Sequence, residues 1–131
     1  MTDVYVDVEA ASIDPGASSS SDPEAVRALR YLSEAGVRIV IVRSGAPEPG
    51  AELRAVASDL IRSVPDRPRV PSWYLTSSID RCRGSSAHLR TVLIGGAPPN
   101  GSVRRCDAVA RDVQAAAMEI LAADAMATGP I

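Results

Sequence analysis

The apolar positions along this chain fall into two kinds of block. Residues 4–8 and 37–42 are short runs, and the second, VRIVIV, is almost continuous and β-branched. Runs of that kind predict strands buried on both faces. Between them Ala25, Val26, Leu29 and Leu32 recur at helical spacing, which predicts an amphipathic helix. Asp22 followed by Pro23 marks its start, a carboxylate N-cap and then a proline at the first helical position. Gly36 marks its end as a left-handed cap. The Ser-rich stretch 9–22, with Pro15 and Gly16, reads as a loop.

The rest of the chain repeats this alternation less regularly. A Pro/Gly-rich loop covers 44–50, and Leu53, Val56, Ala57, Leu60 and Ile61 predict a second amphipathic helix. Pro65, Pro68 and Pro71 enforce an irregular connection. Residues 73–76 predict a third strand, and 92–94 a fourth that ends in Gly95 and Gly96. A short fifth strand is expected within 104–110. From Asp112 onward, Val113, Ala117, Ile120 and Leu121 line one face of a final helix. Strands alternating with helices predict right-handed βαβ units in an α/β fold. The expected architecture is a single domain over 1–131, three-layer αβα and Rossmann-like, with a doubly wound, mostly parallel sheet. The expected strand order is 3-2-1-4-5. Such sheets bind ligands at the carboxyl ends of their strands, beside the switch in strand order. Segments 7–11, 43–45 and 95–100 are therefore the places to look for chemistry.

Composition narrows the function classes. Aromatic residues are only 3% and Phe is absent, so the core must come from Val, Ile, Leu and Ala. The net charge of −2 speaks against a nucleic-acid partner, which calls for a clustered positive surplus. All 14 basic residues are Arg, which removes lysine from the catalytic candidates. No apolar stretch approaches the ~20 residues of a membrane span, and the start MTDVYVDVEA does not read as a signal peptide. Cys82 and Cys106 form no CxxC pair, and His88 is the single histidine. They are expected to be reduced, structural thiols in a cytoplasmic protein, without zinc.

The residues at the strand ends carry a resemblance. VYVDVEA places Asp7 and Glu9 after the first strand, and PEAVRALRYLSEAGVRIVIV (23–42) runs through the helix into the second. That strand ends Arg43-Ser44-Gly45, and TVLIGGAPPNG closes a later one. In these motifs the chain resembles the haloacid dehalogenase-like (HAD-like) phosphohydrolases, as a small member without a large cap. The resemblance implies Asp7 as a carboxylate nucleophile and magnesium ligand, and Glu9, in place of the family's second Asp, as acid and base. The alternative for Asp7 is a carboxylate that merely caps backbone donors at a strand end. The resemblance also places an anion near Arg43, Ser44 and Gly45, with Arg81 or Arg83 standing in for a lysine the chain lacks; the alternative for both arginines is a place on a solvated loop. It departs from the family at Gly96, where a metal-binding Asp belongs; residues 96–100 supply no acid. Without that charge magnesium affinity falls and phosphoryl transfer loses its electrostatic clamp.

Three functions follow from this reading. The first is a HAD-like domain that has lost efficient magnesium-dependent phosphatase activity and acts as a binding or regulatory module, with no cofactor and with a small anion or a protein as partner. The second is an unusual phosphohydrolase using Asp7 and Glu9, with magnesium. The third is an assembly protein that forms a homodimer. A triad of Ser77 or Ser78 with His88 and Asp80 is disfavoured, since nothing in their spacing forms a nucleophile elbow.

Overall fold

The computed structural model describes residues 2–11, 22–43, 49–65, 67–82, 88–95 and 106–127. Its first strand, β1 (Asp3–Asp7), is buried throughout and gives way at Val8 to a short 3-10 turn, Val8–Ala11. Helix α1 (Pro23–Glu34) starts where Asp22 and Pro23 place it. The Asp22 carboxylate accepts a hydrogen bond from the Glu24 amide at 3.1 Å. It ends through Gly36 at φ +95°, a conformation that costs a side chain-bearing residue about 1–2 kcal/mol. Strand β2 (Arg38–Val42) follows directly.

The second helix is shorter than its apolar pattern predicts. Helix α2 (Ala51–Val56) stops at Ala57, whose backbone is extended, and Leu60 and Ile61 belong to a strand, β3 (Asp59–Ile61). Two adjacent apolar residues fit a helix face and a short strand equally well. Parallel pairing with β2 decides between them, with Val40 opposite Asp59 and Val42 opposite Ile61. Arg38 adds a clamp, reaching Asp3 at 3.4 Å and Asp59 at 3.3 Å across three strands.

Three further strands complete the sheet: β4 (Ser72–Thr76), β5 (Leu89–Ile94) and β6 (Ala108–Ala110). The long helix α3 (Val113–Ala127) ends the described chain. The sheet is parallel at every pairing and runs β3-β2-β1-β4-β5-β6. The expected order 3-2-1-4-5 is thus present, extended by a sixth strand. The outer strand beside β2 is Asp59–Ile61, and the strand at 73–76 is fourth in sequence and pairs with β1.

Strand alternation sorts the sheet's side chains into two faces. Val4, Val6, Ile39, Ile41, Trp73, Leu75, Val92 and Ile94 meet residues of α1, α2 and α3 in the larger core. On the opposite face Tyr5, Val40, Val42, Tyr74 and Leu89 are closed over by Val64 of the β3–β4 connection. Among the described residues that second layer consists of connections rather than α-helices. No helix among the described residues is long and apolar enough to cross a membrane.

Cys82 and Cys106 do not remain thiols; they form a disulfide. Sequence spacing conceals this, because 24 residues separate them. Cys82 follows β4 and Cys106 leads into β6, so two successive crossovers bring them together. Closing a loop of this size constrains the unfolded chain by roughly 3–4 kcal/mol.

Candidate functional site

The strand order reverses between β1 and β4: the chain moves outward from β1 to β3 on one side and from β4 to β6 on the other. Asp7 ends β1, and Thr76 ends β4 one step beyond the Val6–Leu75 pair. Both point to the face away from the helices, as does Tyr74 two residues earlier on β4. Asp7 is 1% exposed and Thr76 fully buried.

The Asp7 carboxylate is enclosed by donors. The Tyr74 hydroxyl donates to Oδ1 at 2.8 Å and lies 2.9 Å from Oδ2. The Thr76 hydroxyl donates to Oδ2 at 2.7 Å, while its own oxygen accepts from the Ser78 amide at 3.1 Å. The Arg81 guanidinium donates to Oδ2 at 2.9 Å and supplies the countercharge. Burial is the main cause that pushes the Tyr74 hydroxyl far above its ordinary pKa, and the charge of Asp7 adds to it. Its hydrogen bond to Asp7 holds the Arg81 guanidinium still more firmly protonated, with a smaller contribution from Glu9.

The expected site residues are thus only partly assembled. Asp7 lies at the switch point, its carboxylate engaged by the side chains of Tyr74, Thr76 and Arg81. Arg81 joins it from the 3-10 turn Ile79–Arg81, not as a solvated loop residue but as the partner of the carboxylate. Glu9 lies half-buried on the turn after β1 and acts on Arg81 through charge. Arg43 follows β2, its amide held by the Ile61 carbonyl at 2.8 Å. Ser44, Gly45, Arg83 and Gly96 lie outside the described residues. Asp107 is turned away from the site: its carboxylate accepts from the Thr91 amide at 2.7 Å, three strands from Asp7. His88 precedes β5 whereas Ser77 follows β4, so the register sets them apart by roughly 20 Å of strand and rules out a triad.

Tyr74 and Thr76 are the residues that sequence reading passes over. Both look like ordinary strand residues; their signal was position, at period two on the strand beside Asp7.

The donor set as arranged does not fit a magnesium ion. That ion takes oxygen ligands, preferably charged. Here the Asp7 carboxylate already faces an arginine and two hydroxyls, and residues 96–105 contain no acid. No cluster of three metal-binding side chains occurs among the described residues.

No family model and no curated protein matches the chain. Solved structures do. A D,D-heptose 1,7-bisphosphate phosphatase from B. bronchiseptica, determined with magnesium and phosphate, superimposes with a TM-score of 0.62. The match covers 94% of this chain and 99% of that one at 14% identity. The corresponding phosphatase from Burkholderia thailandensis gives 0.64, covering 92% and 99% at 15% identity. The fold is HAD-like. The switch point of this sheet, set by its strand order and register, lies at Asp7 and Thr76.

Proposed function

We propose that this HAD-like domain does not carry out efficient magnesium-dependent phosphoryl transfer and instead serves as a cytoplasmic binding or regulatory module, its ligand a small anion or a protein surface at the strand ends. The observation that carries this reading is the closed shell around Asp7. A nucleophile must present a free carboxylate oxygen to phosphorus within near-attack distance. Asp7 instead spends its oxygens on Tyr74, Thr76 and Arg81. Arg81 also occupies the place beside the carboxylate that a metal ion would need, with the same sign of charge. Glu9 adds a methylene to the expected acid, and a misplacement of ~1 Å costs about a hundredfold in rate.

The test is turnover of a generic phosphomonoester at saturating magnesium by wild type and Asp7→Asn. The expected result is equal, background-level rates. Robust turnover by wild type that Asp7→Asn abolishes would establish a phosphohydrolase instead.

A further inference from the structure

We propose that the Cys82–Cys106 disulfide is a redox latch that holds Arg81 on Asp7, so that reduction uncovers the carboxylate. The inference rests on the closed-site reading above and adds its regulation.

The turn Ile79–Arg81 is otherwise weakly attached. None of its three residues is buried. Its backbone bonds are local, from Arg81 to the Ser78 carbonyl and from Cys82 to the Ile79 carbonyl. Two consecutive residues supply its long-range side-chain attachments among the described residues: Arg81 to β1 through Asp7, and Cys82 to the lead-in of β6 through Cys106. Cys82 is 2% exposed and anchors the turn from beneath. With the disulfide cut, the ion pair is the turn's remaining long-range polar attachment among the described residues. Arg81 is 31% exposed along its side chain, so water competes for its guanidinium. Asp7 cannot stay buried and unpaired. Loss of Arg81 therefore opens the site to water or to a dissolved cation.

The chemistry is thiol–disulfide exchange with a dithiol reductant. Its thiolate attacks the sulfur of Cys106, the half-buried partner, and the S–S bond breaks with Cys82 leaving as thiolate. The second thiol of the reductant then resolves the mixed disulfide. Two electrons and two protons pass to the cysteines, and the reductant closes as its own disulfide. In a reducing cytoplasm a bond of this kind is transient and responsive.

The experiment measures the accessibility of Arg81. Wild type is treated with a dicarbonyl arginine reagent with and without dithiothreitol, and modification is mapped by peptide mass spectrometry. Arg30, exposed on α1, serves as internal reference. The expected result is a rise of about tenfold in the Arg81-to-Arg30 ratio on reduction, with far-UV circular dichroism retained, as for opening of one local unit. The double variant Cys82→Ser, Cys106→Ser should show the high ratio without reductant. An unchanged ratio with both thiols free would overturn the latch. So would cooperative loss of secondary structure on reduction, which would make the disulfide a plain staple. Phosphomonoester turnover with magnesium, run on both redox states, separates the two proposals. Turnover only after reduction would keep the latch and overturn the lost catalysis, whereas an unchanged Arg81 ratio with no turnover would do the reverse.

Discussion

A buried carboxylate needs its charge and its lone pairs met from within the protein. At Asp7 an arginine meets the first need and two hydroxyls help to meet the second. Removing any member should therefore cost stability as well as alter the site. Asp7→Ala leaves the Tyr74 and Thr76 hydroxyls without their acceptor, and a loss of roughly 3 kcal/mol is expected by chemical denaturation, near the lower end for a broken buried pair because water reaches Arg81. Arg81→Gln should destabilise too, by leaving the carboxylate without countercharge. A variant at either position as stable as wild type would contradict the network. Tyr74 adds a pH dependence. The folded state holds its hydroxyl neutral, chiefly through burial and next through Asp7. The unfolded chain ionises near pH 10. The contribution is therefore full below about pH 10 and falls as pH rises above it toward the raised folded value. Tyr5, raised mainly by burial and then by Asp3, acts in the same direction. Urea melts between pH 8 and pH 11.5 should show a decline confined to the upper end, shallower in Tyr74→Phe. Of these residues, Asp7 was legible as a strand-end acid. The ion pair with Arg81 was not, because it depends on where a turn after a different strand comes to rest.

At the scale of elements, the sequence is most informative where capping chemistry and periodicity agree. Helix α1 carries both, with Asp22 and Pro23 at its start and Gly36 past its end. Gly36→Ala meets no steric obstacle, since nothing lies within 4 Å of an added Cβ. Its cost should be conformational alone, about 1–2 kcal/mol at the positive φ. A thermal melt showing no loss would mean that the helix ends differently. Helix α2 lacks such signals at its end, and Leu60 and Ile61 could be assigned only by a neighbour, the edge of β2. The disulfide was hidden for a similar reason. Nothing local in Cys82 or Cys106 announces a partner, and their meeting is a property of two crossovers.

At the scale of the whole molecule, the alternating blocks were enough to set the class and an order built around a central β1, because parallel strands joined by right-handed crossovers admit few arrangements; which segment takes the outer place beside β2 was not legible, since Leu60 and Ile61 fit a helix face as well. That order in turn fixes Asp7 and Thr76 at the switch point. What the order does not fix is whether the switch point is open. The sheet matches two phosphatases in their near entirety, one of them determined with magnesium. This chain brings an arginine to its switch-point carboxylate and lacks an acid in residues 96–105. The most direct measurement is a thermal melt of the oxidised wild-type protein with and without magnesium, beside Asp7→Asn under the same conditions. A cation bound at a hundred times its dissociation constant would stabilise the fold by ~2.7 kcal/mol, a shift of several degrees. The closed site described here requires no magnesium-dependent shift in either protein; a clear rise in wild type that Asp7→Asn removes would show that Asp7 binds the metal and that the site is open.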